Sequence, residues 1–120
     1  MRKKILFCFL ISVFFTACTN EKEHIVSTHP NGKTAFAEYF SDKDTINPIR
    51  SLRYYFNGEK QEEISYRDGI KNGPYTFCFP NGEKMFEGTY KNGLLDGTFT
   101  QWYDNGEIDY IAHYENGRPS

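Results

Sequence analysis

Cysteine and histidine are scarce in this sequence, and no apolar run is long enough to cross a membrane as a helix. Three cysteines and three histidines occur among its 120 residues. No two of them have the spacing of a metal site, such as two histidines four residues apart. The longest apolar run, residues 5–17, is shorter than a membrane-spanning helix, which needs about 20 residues. These absences argue against a metal centre and against a polytopic membrane protein.

Motifs of catalysis and nucleotide binding are also missing. The sequence contains no GxSxG, no P-loop and no GxGxxG motif, which are common signatures of hydrolases and nucleotide-binding proteins. Glu59, Glu83 and Glu107 recur every 24 residues beside turns, so we interpret them as turn or surface residues rather than catalytic acids. The chain is therefore predicted not to be an enzyme, with no catalytic residue, no metal and no cofactor.

The N-terminus has the pattern of an export signal. Three basic residues precede the apolar run, which ends at Phe15-Thr16-Ala17-Cys18 and is followed by polar residues. The pattern is typical of a secretory signal, and its end resembles a bacterial lipobox, although Phe15 stands where leucine is usual. The resemblance implies removal of residues 1–17, acylation of Cys18 and a lipid-anchored place in the bacterial cell envelope, with membrane and leaflet open. The alternative is an ordinary signal peptide in which Cys18 has no role.

Removal of residues 1–17 would change the charge and the cysteine count. Three of the 14 basic residues leave with the signal, so 11 remain against 16 acidic residues and the net charge is −5. That sign disfavours nucleic acid and anionic lipid as partners, which leaves the acyl anchor as the predicted membrane contact. Cys78 is then the remaining free thiol, so no intramolecular disulfide is expected and Cys78 is interpreted as a small strand residue.

A repeat of 24 residues dominates the rest of the chain. Asn-Gly pairs, further glycines, tyrosines and glutamates recur at this period, which predicts tandem structural units. Residues 18–29 lack an apolar pattern and are predicted to be the lipidated cysteine and a flexible tether, followed by the repeat domain, 30–120. An earlier copy begins at Pro30, where the step is 26 residues and the two inserted residues are placed within 41–47. The predicted structural turn residues are Asn57, Gly58, Gly69, Asn81, Gly82, Gly93, Asn105, Gly106 and Gly117.

Each unit is predicted to be a β-hairpin, so that the domain is an all-β antiparallel meander of about seven strands. Asn-Gly between alternating apolar residues is the strongest short-range hairpin signal, because both residues accept positive φ. The alternative to a two-residue turn is a three-residue type I turn with a glycine bulge, which Pro80 also suits. No helix is predicted, since no segment has apolar residues at helical spacing. The two-residue turn at Asn81-Gly82 predicts these cross-strand pairs: Phe79 with Lys84, Phe77 with Phe86, and Tyr75 with Gly88.

Residues 87–99 contain a glycine, an aromatic residue two positions later, a glycine after the turn and another glycine four residues on. These are Gly88, Tyr90, Gly93 and Gly97, and the pattern resembles a MORN repeat. Phe99 stands where eukaryotic repeats often have a further glycine, a departure that resembles the bacterial MORN-variant group, which includes YwqK-type antitoxin proteins. The resemblance implies a repeat fold that serves as an interaction scaffold, without indicating one particular partner.

The aromatic residues of the strands are the features most suggestive of a function. A single-layer meander leaves its faces uncovered, and exposed aromatics on a rigid sheet suit the binding of protein, peptide or glycan. The alternative is that the rings pack on one another and stabilise the sheet. We predict an exported, lipid-anchored, non-enzymatic protein-binding or scaffold module with an envelope component as partner; the alternative is an antitoxin- or immunity-like protein with a toxin as partner. The candidate binding surface consists of Phe77, Phe86, Tyr90, Phe99, Trp102, Tyr110 and Tyr114. Among these residues, Trp102 is predicted to lie on the opposite, more polar face of the sheet.

Overall fold

The computed structural model describes residues 20–120, which form a single β-sheet. The predicted signal peptide, 1–17, and the predicted acylation site, Cys18, lie outside the described residues. Within the described range no helix is long and apolar enough to span a membrane. The strands are β1 Glu21–Thr28, β2 Thr34–Ser41, β3 Arg50–Tyr54, β4 Lys60–Arg67, β5 Ile70–Cys78, β6 Lys84–Lys91, β7 Leu94–Leu95, β8 Gly97–Trp102, β9 Ile108–Glu115 and β10 Arg118–Pro119.

Strands that follow one another in the chain are neighbours in the sheet. Their order is β1-β2-β3-β4-β5-β6-β8-β9-β10, with β7 paired to β6, and every pair is antiparallel. The predicted all-β meander of hairpins is therefore confirmed. The described residues contain ten strands, more than predicted, because β7 and β10 are two-residue strands beside turns and β1 lies in the predicted tether.

The strand β1 corrects the prediction of a flexible tether for residues 18–29. Glu21 lies opposite Ser41 in β2, and the pairing continues to Thr28. All eight residues of β1 are exposed, which explains why no apolar periodicity marks the strand. An edge strand is held by main-chain hydrogen bonds and tolerates charged side chains on both faces. The tether prediction is thus wrong for residues 21–28.

The Asn-Gly turns are three-residue turns with a glycine bulge, rather than the predicted two-residue turns. At Asn81-Gly82 the amide of Gly82 donates to the carbonyl of Phe79 at 2.9 Å, and the Phe79 amide donates to the carbonyl of Glu83 at 2.8 Å. Gly82 has a φ of 90°, whereas positive φ does not extend to Asn81. Pro80 favours this geometry, because proline suits the second position of a type I turn and glycine the fourth.

Met85 is the extra residue of a bulge that restores the predicted register deeper in the hairpin. It follows Lys84, which lies opposite Cys78 and not opposite Phe79 as predicted. A slip of one residue would turn the side chains of a whole strand to the other face, so the bulge keeps the aromatic residues together. The predicted pairs beyond the bulge are confirmed: Phe77 with Phe86, and Tyr75 with Gly88.

Two-residue turns occur instead after the second strand of a hairpin, where the chain leaves one unit for the next strand. Asp68-Gly69, Asn92-Gly93 and Asn116-Gly117 have positive φ at both positions, which defines a type I′ turn. Asparagine and aspartate tolerate this left-handed conformation better than most side chains. The residue before each of these glycines therefore helps to specify the tight connection between one hairpin and the next.

Few side chains are buried, because the described domain has a single layer. Its buried apolar residues are Ala37, Leu52, Ile64 and Cys78, each with at most 8% of its surface exposed. They belong to the central strands and to β2. One sheet without a second layer cannot enclose a conventional core, so the stability of this domain depends on cross-strand pairs and on contacts between successive turns.

Candidate functional site

One face of the sheet carries a continuous row of aromatic rings. Phe77, Phe86, Phe99 and Tyr110 follow one another, with ring centroids 5.4, 5.8 and 6.1 Å apart. Tyr114 meets Phe99 edge-on at 6.2 Å. Favourable aromatic pairs have centroid separations of about 4.5–7 Å, so each ring stabilises its neighbour. We call this surface the aromatic face and define it as Tyr75, Phe77, Phe86, Tyr90, Phe99, Tyr110 and Tyr114.

A glycine at the centre of the aromatic face makes room for the row. Gly88 lies opposite Tyr75, and a Cβ atom added to Gly88 would lie 3.0 Å from Cδ2 of Phe99. Packed carbon atoms do not approach this closely without a shift of the neighbour. The absence of a side chain at Gly88 therefore allows the Phe99 ring to rest against the backbone, and aromatic rings placed over glycine stabilise sheets.

Two tyrosines extend the aromatic face towards the second turns. Tyr90 stands edge-on to Tyr75 with centroids 5.6 Å apart, and the ammonium group of Lys71 lies 5.0 Å from the Tyr90 ring. Burial and the nearby charge of Glu62 raise the pKa of Tyr75 to about 12. The Tyr75 hydroxyl therefore stays protonated at neutral pH, and it donates to Glu62 at 3.4 Å. This end of the face combines apolar rings with polar groups.

The rings of the aromatic face are only half-buried, and no second layer covers them within residues 20–120. Tyr110 is the most exposed, with 44% of its surface accessible. Both interpretations of the sequence apply, because the rings pack on one another and their outer surfaces remain accessible. The structure brings together these predicted surface residues: Phe77, Phe86, Tyr90, Phe99, Tyr110 and Tyr114.

Trp102 lies on the opposite, more polar face of the sheet, as the predicted hairpin pairing places it. Gln101 pairs with Tyr110 on the aromatic face, and successive residues of a strand point to opposite faces. Trp102 lies opposite Ile108, and its ring is 5.8 Å from the Lys84 ammonium group. It therefore cannot belong to one continuous surface with the aromatic row. The more polar face around it also carries Thr76, Glu87, Thr98 and Thr100.

The Asn-Gly turns form a hydrogen-bonded ladder that was not predicted from the sequence. The Asn57 side chain accepts from the Glu59 amide at 2.9 Å and donates to the Pro80 carbonyl of the next turn at 2.8 Å. Asn31 and Asn81 make the corresponding two contacts. An amide side chain both accepts and donates, whereas a carboxylate only accepts. The signal for this asparagine ladder was the recurrence of Asn, and not Asp, before each of these glycines.

Reactive side chains do not meet in the part of the chain that the structure describes. Glu59, Glu83 and Glu107 lie exposed beside their turns. No group of three potential metal ligands occurs among residues 20–120. Burial raises the pKa of the Cys78 thiol, which lowers the fraction of reactive thiolate. The arrangement offers binding surfaces and hydrogen-bonding edges rather than an assembled reaction centre.

The hairpin units correspond to a known repeat family. The profile described as MORN repeat variant matches residues 50–68, 71–92 and 95–116, which together make up more than half of the chain. The chain belongs to the MORN repeat variant family. No curated protein and no solved structure matches it.

Each matched MORN segment corresponds to one hairpin of the sheet, namely β3–β4, β5–β6 and β8–β9. The hairpin β1–β2 lies outside the matched segments. Its Asn31 nevertheless donates to the carbonyl of Phe56 at 2.9 Å, the contact that defines the asparagine ladder. The asparagine ladder therefore extends to a fourth hairpin, at the N-terminal side of the three matched MORN segments.

Proposed function

We propose that this MORN repeat protein is an exported, lipid-anchored, non-enzymatic module that binds another protein through its aromatic face. The observation that carries the proposal is the row of rings from Phe77 to Tyr110, in which each ring packs against the next while the row stays uncovered in the described sheet. Aromatic side chains that are already ordered supply contact area at low entropic cost and are enriched among the residues that dominate interfaces.

The surroundings of the aromatic face favour a protein partner with an apolar centre and a mixed polar rim. Lys71 borders the face beside Tyr90, and Arg53 forms an ion pair with Glu62 at 3.5 Å near Phe77. Charges of both signs around an apolar centre are the usual anatomy of a protein interface. A polyanion such as nucleic acid would instead require a concentrated positive patch.

The proposed anchor rests on the N-terminal sequence. Acylation of Cys18 would add chains whose buried methylenes contribute about 0.8 kcal/mol each to membrane attachment. Only residues 19 and 20 separate Cys18 from β1, which begins at Glu21, so the anchor would hold this end of the sheet close to the membrane. Cys18→Ala is expected to abolish labelling by a fatty-acid probe and to leave the precursor unprocessed. The anchor would be contradicted if the wild-type protein were cleaved normally, released from the membrane and free of the fatty-acid label.

Affinity capture with the full-length chain tests the binding surface. The bait is incubated with detergent-solubilised envelope and with secreted proteins, and the captured proteins are identified by mass spectrometry. Tyr110→Ala removes the most exposed ring of the aromatic face, whereas Tyr103→Ala removes a tyrosine that is 51% exposed beside a turn. We expect Tyr110→Ala to reduce capture by about tenfold or more and Tyr103→Ala to preserve it. The proposed surface would be refuted if Tyr110→Ala captured as much partner as wild type, or if no protein were enriched by the wild-type bait.

The identity of the captured protein decides between two roles of the same surface. An envelope component would support a scaffold. A toxin would support the antitoxin or immunity role that the resemblance to YwqK-type proteins implies, and an anchored immunity protein would be positioned to protect the envelope.

A further inference from the structure

The asparagine ladder is open at both ends of the array. Asn105 accepts from the Glu107 amide at 2.9 Å, but no described residue accepts from its Nδ2. At the other end the Pro30 carbonyl corresponds to that of Pro80, which accepts from Asn57. Within residues 20–120 the Pro30 carbonyl receives no hydrogen bond. The last turn therefore presents a donor, and the first turn presents the matching acceptor.

The outer edges of the sheet are open as well. Among the described strands β1 pairs with β2 alone. β10 lies beside Tyr114 and Glu115 of β9, and the amide of Ser120 donates to the carbonyl of His113 at 2.9 Å. No described strand lies beside the rest of the outer edge of β9. Charges usually protect such edges against pairing with another chain, but part of each of these two edges is apolar. The exposed apolar residues there are Ile25, Val26, Ile108, Tyr110 and Ile111.

We propose that the two ends bind each other between molecules, so that β1 of a second copy of this chain pairs antiparallel with β9 of the first. β9 is the repeat equivalent of β4, and β1 is the equivalent of β5, which pairs antiparallel with β4 within the chain. In that internal pair Thr76 lies opposite Glu63. Val26 is an extra residue in β1, because Ile25 pairs with Ala37 and Ser27 with Phe36. Ile25 therefore takes the place of Thr76, and Ile111 takes the place of Glu63, so the two isoleucines become direct neighbours at the junction.

The same superposition satisfies the open hydrogen-bonding groups. It places the Pro30 carbonyl of the second copy where Asn105 Nδ2 of the first copy donates to it. An extended peptide could pair with β9, but it would not bring a turn carbonyl to Asn105. The junction also brings Glu107 of one copy towards Lys33 of the next, because both residues follow the glycine of an Asn-Gly turn. These two residues have opposite charges, whereas Glu83 and Glu107, which occupy the same position in successive turns within the chain, have like charges. Strand pairing, hydrogen bonding and charge thus favour a second copy as the occupant.

A junction of this kind does not close on itself. The two surfaces are different, so each added copy leaves one free β1 edge and one free β9 edge. Such heterologous contacts generate open linear assemblies unless a rotation closes them into a ring. The sheet would therefore continue from copy to copy in the same way as it continues from repeat to repeat.

Self-association of the full-length chain in detergent solution is the first test. Ile111→Glu places a charge in the junction, and Ile46→Glu changes an isoleucine that is 84% exposed in the connection between β2 and β3. By sedimentation at increasing concentration, we expect Ile46→Glu to associate like wild type and Ile111→Glu to associate about tenfold more weakly, or worse. Circular dichroism establishes that both variants keep their strands. A wild-type chain that stays monomeric, or equal association of both variants, overturns the proposal.

Disulfide trapping tests the orientation. Direct cross-strand neighbours have Cβ atoms about 4.5–5.5 Å apart, which a disulfide bridges after a small adjustment. Full-length chains carrying Ile25→Cys are mixed with chains carrying Ile111→Cys and oxidised, with wild type giving the background from the native cysteines. We expect a linked dimer from the mixture and none above background from either variant alone. Linking of Ile111→Cys chains to one another would show β9 meeting β9 and would overturn the head-to-tail arrangement.

Discussion

The asparagine of each Asn-Gly turn joins two repeats through one side chain. In Asn57 the Oδ1 atom closes its own turn and the Nδ2 atom reaches Pro80 in the next one. The recurrence of asparagine predicted the position of the turn, because Asn-Gly is a local signal, although the turn has three residues rather than the predicted two. The contact with the next turn could not be predicted, since it depends on how closely successive hairpins pack. Residue-level patterns therefore revealed the units more completely than the interactions between them.

Asn57→Asp tests the contribution of the donor alone. Aspartate retains the oxygen that accepts from the Glu59 amide but has no hydrogen to donate to the Pro80 carbonyl. The negative charge of the aspartate also repels the oxygen of that carbonyl. We expect a loss of about 1 kcal/mol in the free energy of unfolding, measured by urea denaturation of dilute protein. Asn105→Asp is the matched control, because no described residue accepts from Asn105. Equal losses in the two variants would disprove the role of the ladder in stability.

Gly88→Ala tests the close packing beneath the aromatic face. The added Cβ would lie 3.0 Å from Cδ2 of Phe99, and φ at Gly88 is not positive, so the expected penalty comes from crowding rather than from backbone strain. We expect a destabilisation of about 1–3 kcal/mol in thermal or urea unfolding. Combining Gly88→Ala with Phe99→Leu should cost less than the sum of the single changes, because the smaller side chain can move away. Strict additivity would show that the crowding is unimportant.

At the scale of elements, the hairpins were more predictable than their turns and edges. Pairs such as Phe77 with Phe86 followed from apolar alternation around Asn81-Gly82, while the turn itself follows the preference of Pro80. β1 was not predicted, because all of its side chains are exposed and such an edge strand needs no apolar pattern. Its side chains are held by ionic contacts, including Arg50 with Glu21 at 2.7 Å. Six of the seven candidate surface residues lie together on the aromatic face, and Trp102 lies on the more polar face, where the predicted hairpin pairing places it.

The ionic cluster that links β1, β3 and β4 predicts a loss of stability in acid. Burial alone would raise the pKa of Glu63, but hydrogen bonds and charges from Lys60 and Arg50 outweigh it and lower the pKa below its ordinary value of 4.5. A carboxylate with a lowered pKa stabilises the fold fully above the unfolded value and loses this contribution as the pH falls through the folded value.

The corresponding measurement is the melting temperature of wild type and Glu63→Gln between neutral pH and pH 3. Below pH 4.5 we expect the wild-type melting temperature to fall more steeply than that of Glu63→Gln, which has no such carboxylate to protonate. Glu83→Gln is the control, because Glu83 is exposed and forms no ion pair within residues 20–120. Identical pH profiles for wild type and Glu63→Gln would rule out Glu63 as the source.

Over the whole molecule, burial is concentrated in the middle of the array. Ala37 lies on β2, and Leu52, Ile64 and Cys78 lie on β3, β4 and β5. By contrast, β1 is exposed throughout and most of β9 is exposed. In a repeat array each unit contacts only its neighbours, so the stability of a unit reflects its own hairpin and the two interfaces beside it. The end units have one interface fewer and are expected to open first.

Amide hydrogen exchange followed by mass spectrometry tests this gradient and connects it to assembly. In dilute protein we expect the slowest exchange in β3, β4 and β5 and faster exchange in β1 and β9, because local opening of the ends requires loss of fewer contacts. If copies join through these ends, a higher protein concentration should slow exchange in β1 and β9 while the centre stays unchanged. Equal exchange rates along the array in dilute protein would contradict the predicted gradient of stability. Exchange rates in β1 and β9 that do not change with protein concentration would contradict the junction. The two readouts separate the stability of the repeats from their association.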